Sequence, residues 1–71
     1  MTVTVRFGQR LREAREAAGL SVRDVTERAG LPRTYLYALE RGDNSPSLDT
    51  AQRLADAVGV ALADLLTVEK I

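Results

Sequence analysis

Residues 19–42, with the sequence GLSVRDVTERAGLPRTYLYALERG, contain two short helical patterns joined by the tripeptide Gly30-Leu31-Pro32. In the second pattern, Tyr35, Leu36 and Leu39 fall on one side of a helix with about 3.6 residues per turn. The other side carries mainly polar residues: Arg33, Thr34, Tyr37, Ala38 and Arg41. The stretch therefore predicts two short helices, of which the second buries one face and exposes a basic one.

This exposed face suits a grooved and anionic partner. Arginine can form two hydrogen bonds with the edge of a guanine, and threonine can donate or accept a hydrogen bond. The alternative is an ordinary amphipathic helix with a solvated outer face, and the phase of the pattern is compatible with both. We interpret residues 19–42 as a helix-turn-helix.

The rest of the chain has the same helical periodicity. It predicts one all-α domain over residues 1–71, with five helices at about residues 6–18, 22–29, 32–41, 48–58 and 61–67. Serines stand before the second and fourth helices as N-caps, and a glycine follows each of the first four predicted helices. The alternating sequence TVTV at residues 2–5 is compatible with a short strand or a flexible arm, and we expect a disordered arm over residues 1–5. The fourth helix is expected to bury Leu48, Ala51, Leu54, Ala55 and Val58.

Length and composition exclude several classes of function. The 71 residues make one small domain, near the size at which a core needs a partner subunit, so self-association is expected. The chain has no Cys and no His, which excludes disulfides and thiolate metal sites and removes the commonest catalytic base. It also lacks a glycine-rich phosphate loop and a carboxylate cluster at metal-ligand spacing, so we expect no enzyme, cofactor or metal. With neither a signal peptide nor a transmembrane run, a cytoplasmic protein without a membrane or small-molecule partner is expected.

The charge is distributed unevenly along the chain. The total is zero, which by itself argues against a nucleic-acid partner. Residues 1–42, however, hold eight arginines against five acidic residues, a net charge of +3, and residues 43–71 carry a net charge of −3. Because the basic part contains the helix-turn-helix, this polarity can orient the molecule on a polyanion.

Six fragments stand in order along residues 7–66: GLS (19–21), Gly30, YL (35–36), LERG (39–42), NSPSL (44–48) and LADAVGV (54–60). In sequence and spacing they resemble the lambda-repressor-like helix-turn-helix family of transcription regulators, the Cro/CI-type or xenobiotic-response-element-type group. The resemblance implies a compact five-helix domain whose second and third helices read DNA. It also implies a symmetric dimer that binds double-stranded DNA at an operator with two half-sites.

The same resemblance implies roles for particular residues. Arg15 and Glu40 are expected to form a structural ion pair that holds the reading helix against the scaffold. The expected base contacts are Arg33, Thr34, Tyr37 and Ala38. The expected phosphate contacts are Ser21, Arg23, Arg41, Asn44 and Ser45.

The dimer surface is expected at the fifth helix and the tail that follows it. Both the resemblance and the apolar residues left over in this region point to Val60, Leu62, Leu66, Val68 and Ile71. The alternative is that most of them complete the core of the monomer, an interpretation that we favour for Leu62 and Leu65.

Four positions depart from the usual family pattern: Val22, Thr26, Pro32 and Asp43. Val22 stands where glutamine is common, and Asp43 stands where a basic residue is common and would repel a phosphate. The leading hypothesis is a sequence-specific transcriptional regulator, a repressor or autoregulator, that acts as a homodimer on a palindromic operator. The alternative is a protein-interaction or antitoxin-like module on the same fold, with weak or no DNA binding.

Overall fold

The computed structural model describes residues 3–66, with side chains for residues 7–66. This part of the chain forms five α-helices and contains no strand. The helices are α1 (Val3–Ala17), α2 (Val22–Ala29), α3 (Arg33–Arg41), α4 (Leu48–Val58) and α5 (Leu62–Leu66). The architecture confirms the predicted fold class, a compact all-α domain with five helices.

Local signals set the two ends of α2. The Ser21 hydroxyl oxygen accepts a hydrogen bond from the Asp24 N–H, and the Asp24 carboxylate accepts one from the Ser21 N–H, which makes a capping box at α2. At the other end, Gly30 adopts a left-handed conformation with φ 71°, and its N–H donates to the Thr26 carbonyl. Glycine adopts the left-handed conformation without the steric penalty of a Cβ atom, so Gly30 allows the sharp turn between α2 and α3.

The first helix begins earlier than its sequence pattern predicts. We expected a start near Arg6 and a disordered arm over residues 1–5, but α1 begins at Val3. Extending an existing helix by one residue costs less free energy than nucleating a new one. The helix that forms around the buried residues of α1 can therefore continue toward the N-terminus. Residues 1 and 2 lie outside the described part of the chain.

The core is a single cluster to which all five helices contribute. Its fully buried centre consists of Leu11, Val25, Leu36, Leu39, Leu54 and Leu65. Helix α1 packs on α3, α4 and α5, and α2 packs on α3 and α4. The expectation that Leu48 is buried was wrong. Leu48 is the first residue of α4, and its side chain is 73% exposed. The buried stripe of α4 begins one turn later, at Ala51.

Gly8 marks the closest approach between α1 and α3. A Cβ atom at this position would overlap the Leu39 carbonyl oxygen and would lie 3.1 Å from the Glu40 carbonyl oxygen. Gly8 is buried, and both obstructing atoms belong to the backbone, so neither can rotate away. The absence of a side chain at residue 8 therefore sets how deeply the end of α3 seats against α1.

Replacing Gly8 with alanine is expected to destabilise the protein. Alanine in a helix interior normally gains about 0.5–1 kcal/mol over glycine. Here the methyl group must push two helices apart, and overpacking of this kind costs about 1–3 kcal/mol. Urea denaturation should give a lower free energy of unfolding for Gly8→Ala than for the wild type. The neighbouring exposed change Gln9→Ala should be nearly neutral, and a Gly8→Ala protein as stable as the wild type would contradict the close approach.

Candidate nucleic-acid interface

Helix α3 buries one face and exposes the other. Leu36 and Leu39 are fully buried, and Tyr35 packs on the edge of the core. The predicted base-contact residues lie on the opposite side, where Arg33, Thr34 and Tyr37 are exposed and Ala38 is half-buried. The structure thus brings these four residues together on one accessible face, which we call the reading face.

Arg33 occupies an electrostatically unfavourable position. It is the first residue of α3, where the helix dipole is positive, and a cation there costs about 0.3–1 kcal/mol. Among residues 7–66, its guanidinium has neither an ion pair nor a hydrogen bond. An arginine without an internal partner leaves its guanidinium donors available to an external acceptor.

Arg15 and Glu40 join α1 to the end of the reading helix. Arg15 Nε donates to Glu40 Oε2 at 2.9 Å, and Nη2 donates to Oε1 at 3.2 Å. Arg15 Nη1 also donates to the Leu20 carbonyl at 3.1 Å, which ties in the turn before α2. The side chains are only 13% and 8% exposed, and the hydrogen bond with Glu40 raises the pKa of Arg15. This bidentate pair holds α1, the α1–α2 turn and α3 together.

One group of predicted phosphate contacts lies at the start of α2. The Ser21 N–H and hydroxyl oxygen are both used by Asp24 in the capping box, at 2.9 and 3.0 Å. Arg23 is exposed and donates to Glu27 at 3.0 Å, one turn further along α2. A phosphate at this helix start would therefore meet the Asp24 carboxylate as well as the positive end of the helix dipole.

Asp24→Asn is expected to change the pH dependence of folding. An aspartate ordinarily has a pKa of about 3.9. Hydrogen bonds from the backbone and side chain of Ser21 lower the pKa of Asp24 in the folded protein. A lowered folded-state pKa means that ionised Asp24 stabilises the fold above about pH 4, and that this contribution disappears as pH falls through the folded-state pKa.

The measurement is urea denaturation at a series of pH values from about 2 to 7. On acidification, the wild type should lose more stability than Asp24→Asn, and the two curves should converge at the acidic end. Parallel curves would show that the capping carboxylate contributes nothing to the pH dependence.

The second group of predicted phosphate contacts follows α3. Arg41, Asn44 and Ser45 are all exposed at the end of α3 and in the loop before α4. Arg41 Nε donates to Asp43 Oδ2 at 2.9 Å, an ion pair that the sequence analysis did not anticipate. Asp43 thus neutralises the arginine beside it, and a phosphate must compete with this carboxylate for Arg41.

The residues predicted for the dimer surface differ in how exposed they are. Val60 and Leu62 are half-buried and pack against the core, while Leu66 is 38% exposed. Leu65, which we expected in the monomer core, is 1% exposed. Val68 and Ile71 lie outside the described residues.

The described part of the chain lacks two further features. Within it, no group of three or more His, Cys, Asp or Glu side chains is placed to hold a metal ion. No helix there has both the length and the apolar character needed to cross a membrane.

Comparison with known proteins gives matches over most of the chain. A family profile described as "Helix-turn-helix domain" matches residues 6–67. The HTH-type transcriptional regulator DdrOP3 of Deinococcus deserti is 45% identical over 58 residues, which are 82% of this chain and 45% of that protein. The chain therefore spans less than half the length of this relative.

Two solved structures resemble the fold closely. The restriction-modification controller protein C.AhdI from Aeromonas hydrophila superposes with a TM-score of 0.83 and 42% identity, over 87% of this chain and 94% of that one. SinR, a master regulator for biofilm formation solved in complex with DNA, gives a TM-score of 0.81 and 29% identity, over 86% and 98%. Each superposition covers more than four fifths of this chain.

Proposed function

The chain belongs to the helix-turn-helix domain family, and from this premise we propose that it is a transcriptional regulator that binds a palindromic operator in duplex DNA as a homodimer. The similarity to SinR, whose structure was solved with DNA, supports duplex DNA as the partner. On the same premise we assign the protein to the cytoplasm and give it no catalytic activity or cofactor.

The observation that carries the proposal is the reading face, where Arg33 has no partner among residues 7–66 and stands on a helix that the Arg15–Glu40 pair fixes in place. With α3 in the major groove, Arg33 donates two hydrogen bonds to a guanine. The methyl groups of Thr34 and Ala38 contact thymine methyls, and the Tyr37 hydroxyl bonds a phosphate or packs on a sugar. The start of α2 and the loop after α3 supply the phosphate contacts of Ser21, Arg23, Arg41, Asn44 and Ser45.

The homodimer places two reading helices on one face of the duplex. Half-sites separated by one helical turn require the two α3 helices to lie about 34 Å apart. The exposed Leu66 is the centre of the proposed contact, with Val60 and Leu62 at its edge and Val68 and Ile71 beyond the described residues. Burial of this apolar surface between the two subunits provides the driving force for dimerisation.

Leu66→Asp is expected to convert the dimer into a folded monomer. A carboxylate at the centre of an apolar contact must be buried without a partner, which disfavours association far more than it disfavours the exposed monomer. Sedimentation velocity should show half the wild-type mass, with the helical circular dichroism spectrum retained. Leu48→Asp, the same change at an exposed leucine of α4 outside the proposed contact, should leave the dimer intact. A wild-type monomer, or a Leu66→Asp dimer, would refute this surface.

Selection from randomised duplex DNA, at two salt concentrations, tests the proposed function directly. The purified chain should enrich an inverted repeat, and its affinity should fall steeply as salt displaces the arginine–phosphate contacts. The spacing between half-sites reports the geometry of the dimer. Binding that is indifferent to both sequence and salt would reject the proposal.

A second candidate function has a specific observation in its favour. Asp24 and Asp43 place carboxylates at both groups of proposed phosphate contacts, and Asp43 already occupies Arg41. A protein-interaction or antitoxin-like module with weak or no DNA binding fits this distribution of charge. Purification of a stable heteromeric complex whose two members do not bind duplex DNA would favour this function over the first.

A further inference from the structure

A cleft of about 300 Å³ opens between α1 and the C-terminal half of α3. Its lining consists of Arg12, Arg15, Tyr37, Glu40 and Arg41. Three guanidinium groups and one carboxylate give the lining itself a net charge of +2, and the carboxylates of Glu16 and Asp43 beside it balance that charge through exposed ion pairs. We call it the α1–α3 cleft.

The groups in the cleft differ in how firmly they are held. Arg15 and Glu40 are bound to each other through two hydrogen bonds and form an internally neutralised floor. Arg12 and Arg41 stand at the rim, each 63% exposed. Their partners Glu16, at 3.5 Å, and Asp43, at 2.9 Å, are exposed as well. Exposed ion pairs of this kind contribute about 0–1 kcal/mol, so an incoming anion can recruit either arginine at little cost.

The cleft opens beside the reading face. Tyr37 and Arg41 belong both to its lining and to the exposed side of α3 that carries Arg33. A duplex whose major groove receives α3 has a sugar–phosphate backbone along each edge of that groove. A backbone along the α1 side of that groove would lie near the mouth of the cleft, where Arg12 is the exposed arginine of α1.

We propose that the α1–α3 cleft binds a phosphate of the operator backbone, with Arg12, Arg41 and the Tyr37 hydroxyl as donors. The proposal rests on the proposed function and adds α1 to the DNA-binding surface. A phosphate carries enough acceptor oxygens to bond two guanidinium groups and a hydroxyl at once. A purely structural role for Arg12, as a cation near the C-terminal end of α3, would affect folding but not the salt dependence of DNA binding.

The test compares Arg12→Gln with Arg53→Gln on the operator obtained by selection. Arg53 is a matched control, because it is exposed, has no hydrogen bond or ion pair among residues 7–66, and lines a different cleft that includes no residue of α3. Operator affinity is measured between about 50 and 200 mM salt, since each lost phosphate contact reduces the slope of log affinity against log salt by about 0.9. Arg12→Gln should show that reduction for each half-site and roughly tenfold weaker binding per site. Arg53→Gln should retain the wild-type slope.

Two further variants and a titration complete the experiment. Tyr37→Phe should weaken binding without changing the slope, because it removes a donor but no charge. Urea denaturation of Arg12→Gln should give wild-type stability to within about 0.5 kcal/mol, as expected for an exposed residue. Inorganic phosphate is titrated into the free protein while the arginine Nε–Hε resonances are followed by NMR.

Each outcome decides between the hypotheses. A reduced slope for Arg12→Gln alone supports the cleft as a backbone-phosphate site. Equal slopes for all proteins would reject the phosphate site in the cleft but not the DNA-binding function. A wild type that binds no duplex DNA would reject both. Saturation of Arg12 and Arg41 by inorganic phosphate at millimolar concentration, with an unchanged slope on DNA, identifies free phosphate as the occupant and overturns the proposal for the operator.

Discussion

Glu40→Ala is expected to lower the free energy of unfolding by about 3 kcal/mol, because it leaves the Arg15 guanidinium largely buried and without its carboxylate. Small domains have only about 5–15 kcal/mol of stability in total. The variant should therefore unfold at a much lower urea concentration than the wild type, with a measurable unfolded population without denaturant. The reason lies in desolvation, since Arg15 is 13% exposed and water cannot replace both hydrogen bonds from Glu40.

Two controls separate this cost from a general effect of losing a carboxylate. Glu16→Ala breaks the exposed pair between Arg12 and Glu16, and it should cost less than about 1 kcal/mol. The double change Arg15→Met and Glu40→Met removes both charges and retains side-chain volume, so it should recover most of the lost stability. If Glu40→Ala costs no more than Glu16→Ala, the pair does not hold the reading helix in place.

The ends of the helices were predictable because local chemistry determines them. Ser21 and Ser47 cap α2 and α4 through their hydroxyl groups, as serines before a helical pattern do. Gly30 and Gly42 stop α2 and α3 in left-handed conformations. These interactions involve residues within about four positions of each other, so a linear sequence contains the information.

Two features of the packing required the three-dimensional structure. Leu48 continues the apolar period of α4, yet the buried stripe begins only at Ala51, one turn into the helix. Periodicity alone does not show where along a helix the core ends. The role of Gly8 depends on how α1 crosses α3. A glycine inside a helical pattern is a signal of a close approach between helices, but it does not identify the helix that approaches.

The sequence predicted which residues of α3 are exposed at the candidate site. It did not predict the Arg41–Asp43 ion pair or the α1–α3 cleft. The helical phase of residues 33–41 places Arg33, Thr34 and Tyr37 on the exposed side, where the structure has them. The Arg41–Asp43 pair and the α1–α3 cleft depend on the rotamers of long exposed side chains and on contacts between separate helices. Neither determinant is encoded in the spacing of residues along one helix.

Arg33→Glu is expected to abolish specific DNA binding while the protein becomes slightly more stable. Loss of a bidentate contact with guanine costs about 1–3 kcal/mol per half-site, and the new carboxylate adds repulsion from the DNA. Operator affinity should therefore fall at least a hundredfold, or roughly 3 kcal/mol. At the start of α3 the same substitution replaces an unfavourable cation with a favourable anion, which should raise the free energy of unfolding by about 0.5–1 kcal/mol.

The opposite signs of these two effects distinguish a residue that reads DNA from one that merely lies on the surface. Arg53→Glu makes the same change of charge at an exposed arginine of α4 that also lacks a partner among residues 7–66. It should reduce operator affinity by only a few fold, through long-range repulsion that salt screens. Gel-shift titrations and urea denaturation of both variants measure the two quantities. Equal losses of affinity would show that Arg33 contributes only charge, whereas a much larger loss for Arg33→Glu in a more stable protein requires a specific contact with the operator.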